Sequence, residues 1–235
     1  MSYTLTLTGD TILTNRFADE HTLSIGRLGD VLRDSDVTLT QLEAVPRGRE
    51  TESYPAHRTI GGLLTAPDSV GSLLAEIGVD VATVASNHVL DHSYAGLVAA
   101  WRSLDEAGID HAGTGWDLGD ARTPATVATD DGHVAVVSAT ATFHDEAVAG
   151  QSRTGERRPG VSPLRHRVVV SGAEWDAIRD QITSRGQSGI VRNDDELLVR
   201  PPGVHYPVKQ YRREKSFEEG ERKTEPLPRD LDALV

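Results

Sequence analysis

A chain of 235 residues with a formal net charge of −12, 36 acidic against 24 basic residues and no cysteine excludes disulfides, thiolate metal sites and cysteine nucleophiles at the outset. So acidic a surface repels phosphates, which argues against nucleic acid as a partner, and no window approaches the roughly 18 apolar residues of a membrane span. The amino terminus lacks a basic stretch followed by a long apolar run, so the expectation is a soluble, cytoplasmic protein without stable membrane insertion. The arginine-over-lysine balance fits a high-salt cytoplasm and a GC-rich genome equally well.

Taken in order, residues 4–8 alternate Thr with Leu and run into Gly9-Asp10, which predicts a strand followed by a loop. Residues 37–43, ending in Gln41-Leu42-Glu43, read as a second strand. From Pro67 onward, Val70, Leu73, Leu74 and Ile77 keep the i, i+3, i+4, i+7 spacing of a one-sided helix, with Gly78 as its terminator. Residues 79–85 form an apolar, β-branched run of the length of a buried parallel strand, which puts Ser86-Asn87-His88 at its carboxyl end. The next helix, over 93–107, places Tyr94, Leu97, Val98, Trp101 and Leu104 on one face and stops at Gly108.

Further short strands are expected near 109–112 and 133–139. Strands alternating with helices define an α/β fold, whose ligands gather at strand carboxyl ends. The division expected is 1–150 as the N-terminal half of the domain, 151–200 as an arginine-rich loop (151–163) plus an amphipathic helix (173–184) of the same domain, and 201–235 as a charged, weakly apolar segment able to bury little. No GxxxxGK[ST] or GxGxxG motif occurs, so nothing points to a nucleotide fold.

Three polar clusters stand at strand ends: Gly9-Asp10, Gln41-Leu42-Glu43, and Ser86-Asn87-His88 with Asp91. Carboxylates and an amide oxygen are hard ligands for Mg, Mn or a similar divalent cation, and a neighbouring imidazole can move a proton. Each residue also has a structural reading. Asp10 can close a turn, Glu43 can be a solvated loop charge, and Asn87, Asp91 or His92 can cap the following helix. His57, His111, His133, His144, His166 and His205 show no metal-ligand spacing and read mostly as exposed.

With those residues in view, the sequence resembles the CapA or poly-γ-glutamate capsule-synthesis family, a relative of the calcineurin-like metallophosphoesterases. Gly9-Asp10 looks like the family's opening, Gln41-Leu42-Glu43 stands where it has Asn-Leu-Glu, and Ala85-Ser86-Asn87-His88-Val89-Leu90-Asp91 is similar to its Ala-Asn-Asn-His-x-x-Asp segment, continued by Tyr94-Ala95-Gly96-Leu97. His111-Ala112-Gly113-Thr114-Gly115, Asp120-Ala121-Arg122-Thr123-Pro124 and Arg158-Pro159-Gly160-Val161-Ser162-Pro163-Leu164-Arg165 extend the likeness in order along about 165 residues.

The resemblance implies a metallophosphoesterase-like two-sheet sandwich with flanking helices. It also implies Asp10, Glu43 and Asn87 as metal ligands, His88 as the catalytic histidine and Asp91 in a supporting or capping role. The activity implied is metal-assisted hydrolysis in the synthesis or processing of an anionic polymer such as poly-γ-glutamate, or action on a small-molecule substrate. Gln41, Ser86 and Ser93 depart from the family's Asn, Asn and Gly. The family's later histidine motifs do not occur in this sequence, so the domain is expected to be incomplete at its C-terminal side. The alternative expectation is therefore a truncated, non-catalytic remnant, or a module needing a partner chain that supplies those histidines.

Overall fold

The computed structural model describes residues 3–14, 27–47, 54–55, 62–151, 153–184, 189–193, 195–199 and 209–234. His57 and His205 lie outside the described residues, as do residues 201–208 of the C-terminal segment. The chain divides into two units, Met1–Pro163 and Leu164–Val235.

In chain order the first unit runs β1 (Leu5–Thr11), α1 (Arg27–Arg33), β2 (Val37–Leu42), β3 (Val45–Pro46), β4 (Thr65–Ala66), α2 (Val70–Glu76), β5 (Val81–Thr83), α3 (Ser93–Glu106) and β6 (Asp110–Ala112). Strands β1, β2, β5 and β6 form one parallel sheet in that order. The crossover spacing read from the sequence is the reason: each helix returns the chain to start the next strand on the same side. The strand expected to stop at Thr8 continues to Thr11, and Gly9-Asp10 lies inside it, at a shift of register between Leu7 and Asp10.

Alternation decides what each strand buries. Ala82 and Val84 join Leu42, Leu74, Leu97, Trp101 and Leu104 in the main core, so α2 and α3 cover one face of the sheet. Each of these large aliphatic side chains contributes about 1.5–3 kcal/mol by leaving water. Val37, Val81 and Ala112 point the other way, towards the hairpin of β8 (Ala125–Thr129) and β9 (Gly132–Val136), with Val127, Val134 and Val136 packed against them. Between these elements lie β7 (Thr114–Gly115) and the single turn α4 (Leu118–Ala121), whose N-cap Asp117 accepts the Gly119 and Asp120 N–H groups.

The loop expected over 151–163 is partly built into this unit. β10 (Gly150–Gln151) pairs with β11 (Arg157–Arg158), and β12 (Gly160–Val161) pairs with β7. Val161 is fully buried in the main core, and the Ser162 N–H donates to the Gly113 carbonyl at 2.8 Å. Its polar composition hid this because its buried residues, Gly160, Val161, Ser162 and Pro163, are confined to its last four positions.

The second unit is a five-stranded sheet with one helix. It comprises β13 (His166–Val170), α5 (Gly172–Ser184), β14 (Gly189–Asn193), β15 (Glu196–Val199), β16 (Lys209–Arg213), β17 (Arg222–Pro226) and the turn α6 (Pro228–Leu231), in the spatial order β14-β15-β16-β13-β17. Only β13 and β16 pair in parallel. The amphipathic helix expected over 173–184 is present and lays Trp175, Ile178 and Ile182 on Val168, Val170, Leu197, Val199 and Tyr211.

The C-terminal segment, expected to bury little, supplies β16 and β17. Backbone ladders need no apolar side chains, and the charges on these strands are matched: Arg167 to Glu225 at 2.7 Å, Arg212 to Glu225 at 3.5 Å, and Arg167 to Glu196 at 3.4 Å. The almost completely buried Asp230 accepts both the Arg165 backbone N–H and its guanidinium, each at 3.0 Å. The protein is thus a mixed α/β structure with parallel and antiparallel sheets. No helix among the described residues is long and apolar enough to cross a membrane.

Candidate functional site

The three polar clusters meet at the carboxyl end of the parallel sheet. Asp10 of β1 is level with Gln41 of β2, and Gln41 is level with Thr83 of β5. Glu43 follows two residues after Gln41, its N–H directed at the Thr11 carbonyl at 3.4 Å. Ser86-Asn87-His88 leaves the end of β5. Two departures from the family pattern acquire local roles. The Gln41 Oε1 accepts the Thr83 hydroxyl at 2.6 Å, and the Ser86 hydroxyl accepts the His88 N–H at 3.1 Å, a turn that Ser closes much as Asn would.

His88 is the best-held of the site residues. Its Nδ1 lies 2.7 Å from Asp91 Oδ2, and the same carboxylate oxygen accepts the Leu64 N–H at 2.8 Å. A carboxylate only accepts, so Nδ1 carries the proton and Nε2 is left as the free nitrogen. That nitrogen lies 3.9 Å from Glu43 Oε1, an ionic contact when the imidazole is protonated but too long for a hydrogen bond. The Asp91 side chain is 2% exposed and those of His88 and Glu43 are 21% and 17% exposed, so Asp91 lies in the interior and the other two are partly open to solvent.

Asp91 therefore orients an imidazole instead of capping α3. The N-cap position belongs to His92, which makes no side-chain cap bond. Sequence reasoning named Asp91 but not its partner; the Asn-His-x-x-Asp spacing, one helical turn, was the available signal. Ser93 adopts a φ of 58°, the left-handed region that glycine occupies without penalty, which accounts for glycine at this position of the family pattern. Gly96, one turn into α3, lets β3 close on the helix: a Cβ there would lie 2.5 Å from the His92 Cβ and 2.8 Å from the Pro46 carbonyl oxygen.

His92 itself is buried, with Nε2 2.8 Å from the Thr65 hydroxyl and Nδ1 without a partner. Burial holds its pKa below the ordinary 6.5; the Asp91 charge opposes the shift and the Arg47 charge assists it. The unfolded chain thus takes up the proton first, so stability falls as pH drops from about 6.5 through the lower folded value. The urea midpoint is expected to decline between about pH 7 and about pH 5, less so in His92→Gln. Equal declines in the two proteins would remove His92 as the cause.

Of the other histidines, His133 and His166 are exposed, whereas His111 and His144 are half-buried. His111 stacks on Trp101 at 6.4 Å, burying what composition left open to solvent.

A resident divalent cation needs several hard donors converging on one point. Among the described residues no three His, Asp or Glu side chains converge as a metal site, and Asp10 is exposed on β1. Glu43 and Asn87 offer hard oxygen donors near one imidazole, short of the three or more ligands that hold a metal tightly. The described residues therefore do not by themselves fit a closed metal centre.

Comparison with known proteins gives a family. The family described as "Bacterial capsule synthesis protein PGA_cap" matches residues 4–191, which include every site residue named above. Two uncharacterized proteins of Sinorhizobium fredii (strain NBRC 101917 / NGR234), y4sH and y4uA, are each 28% identical to this chain over 201 residues. The aligned region covers 84% of this chain and 44% of each relative, so the chain spans less than half the length of these curated proteins.

Proposed function

The chain belongs to the bacterial capsule synthesis protein family, and from that premise we propose that it carries a hydrolase-like site for an anionic cell-surface polymer of the poly-γ-glutamate kind, on a metallophosphoesterase-like scaffold. The observation that supports this most is the Asp91–His88–Glu43 line at the end of β5. An imidazole whose Nδ1 proton is held by a buried carboxylate presents a basic Nε2 to whatever enters from the sheet end. Asp91 keeps the ring in one tautomer and orientation. Glu43, beside Nε2, steadies the imidazolium that forms when the ring takes a proton.

In this reading Asp10, Glu43 and Asn87 would offer oxygen donors to a weakly held divalent cation such as Mn or Mg, and a partner chain would have to complete its ligand set. The cation would supply Lewis acidity to a substrate oxygen.

The test measures hydrolysis of a phosphodiester probe, bis(p-nitrophenyl) phosphate, and of a γ-glutamyl anilide, with and without Mn. Activity lost in both Asn87→Ala and His88→Ala is expected, and activity indifferent to both would overturn the site. In parallel, Mn should raise the melting temperature of the wild type and not of a Glu43→Gln, Asn87→Ala double variant, because a ligand bound only by the native state adds stability in proportion to its saturation. An equal rise in both proteins would place the cation elsewhere. The alternative, a non-catalytic remnant of the same fold, is favoured by the open donor set; it predicts no hydrolysis of either probe and no Mn effect on melting.

A further inference from the structure

We propose that Thr65 and His92 are positioning residues for His88: their bond fixes β4 so that the Leu64 N–H holds Asp91, and Asp91 holds the imidazole. The geometry is a pair of adjacent fastenings. Leu64 and Thr65 are neighbours on one segment, and Asp91 and His92 are neighbours at the entry to α3. The Leu64 N–H donates to Asp91 Oδ2 at 2.8 Å, and the Thr65 hydroxyl lies 2.8 Å from His92 Nε2. The same Asp91 Oδ2 lies 2.7 Å from His88 Nδ1. A displacement of Thr65 is therefore passed through one residue of backbone to the oxygen that orients the imidazole.

β4 needs such an anchor. It pairs in parallel with an equally short β3, Val45 with Thr65 and Pro46 with Ala66, and Pro46 brings no N–H to the ladder. So short a pairing is marginal by itself, and the Thr65 side chain adds a tie to α3. His92 is a firm point of attachment. The residue is 5% exposed, and its Cβ sits against Gly96, the position at which α3 and β3 meet most closely. Its Nδ1 has no partner, so Thr65 is what fixes the polar end of the ring. A buried imidazole held by one bond stabilises less than an apolar side chain of its size would, and what the bond adds is a defined position for β4.

The β3–β4 ribbon reaches both flanks of His88. Glu43 stands two residues before Val45, the ladder partner of Thr65, and Ala44 and Val45 are fully buried. One ribbon thus carries the carboxylate 3.9 Å from Nε2 and the N–H that holds the carboxylate at Nδ1.

The Leu64 donor is backbone and survives any ordinary side-chain substitution, so Thr65 is the handle for a test. Thr65→Val keeps the shape and removes the hydroxyl, and Thr65→Ser keeps the hydroxyl. In Thr65→Val, kcat for bis(p-nitrophenyl) phosphate or for the γ-glutamyl anilide should fall about 3–10-fold with KM within about twofold, and Thr65→Ser should recover it. The double variant with Asp91→Asn should be no slower than Asp91→Asn alone, because Thr65 acts through that carboxylate, whereas an independent structural effect would multiply the two losses.

This kinetic arm rests on the hydrolase-like function proposed above; the tautomer of His88 does not. Nitrogen-15 spectra at alkaline pH, where imidazoles are neutral, identify His88 by its absence from His88→Ala. The Nδ1-protonated form is expected in the wild type and in Thr65→Ser, and a mixture of tautomers in Thr65→Val. A chain that hydrolyses neither probe yet shows this tautomer change would overturn the proposed function and support the positioning. A wild-type His88 spectrum retained in Thr65→Val, or losses that multiply with those of Asp91→Asn, would overturn the positioning.

Discussion

Gly71→Ala is expected to cost about 3 kcal/mol of stability, the upper end of the overpacking range, and to lower the melting temperature by about 6–12 °C. At this position α2 crosses α3 so closely that an added Cβ would lie 1.9 Å from the Ser103 carbonyl oxygen and 2.5 Å from its carbon. Both atoms are helix backbone, so neither can rotate away. The crossing is also bonded: the Gly71 N–H donates to the Ser103 hydroxyl at 2.9 Å, and that hydroxyl donates to the Asp68 carbonyl at 2.8 Å. Parting the helices would break this chain and loosen Leu74 and Leu104, both fully buried. Alanine's better helix propensity recovers only about 1 kcal/mol. Gly9→Ala, where a Cβ would meet nothing within 4 Å, should stay within about 0.5 kcal/mol of the wild type. Comparable melting of the two variants would show that the helices separate at little cost.

His88→Ala should reduce the hydrolytic rate of the proposed site by about 10²–10⁴-fold, the range that a positioned acid or base supplies. Asp91→Asn should cost less, about 10–100-fold, because it leaves the imidazole in place and removes only the carboxylate that fixes its tautomer. The split between kcat and KM separates a positioning role from a structural one: loss of the Nδ1 contact should lower kcat with KM and the melting temperature little changed, and replacement by the carboxylate-bearing Asp91→Glu should recover part of the rate. An unchanged kcat in Asp91→Asn, with melting also unchanged, would detach Asp91 from the chemistry.

Much of the scaffold was legible before any coordinates. The apolar run at 79–85 and the one-sided spacings that became α2, α3 and α5 report burial, and burial follows from side-chain chemistry and period alone. The same logic brought Asp10, Glu43 and Asn87-His88 to one end of the sheet, because parallel strands joined by crossovers share their carboxyl ends. It misjudged elements whose stability comes from partners distant in sequence. β16 and β17 carry little apolar surface and hold through backbone ladders and through the Arg167, Arg212 and Glu225 charges, which no local pattern reveals. The polar loop at 151–163 hides Val161, buried by contacts reaching back to β7.

At the site the division is sharper. Sequence alone determined which residue types stand at the strand ends, and hence what chemistry is available: oxygen donors, one imidazole and no thiol. Only the tertiary structure decided their relations. It turned Asp91 from a helix cap into the partner of His88, set Glu43 at 3.9 Å from Nε2, left Asp10 exposed on β1, and formed no group of three His, Asp or Glu side chains able to hold a metal among the described residues. The physical reason is that residue type is a local property, whereas a hydrogen bond or a ligand set depends on distances of a few ångströms between segments far apart in the chain, and packing sets those distances.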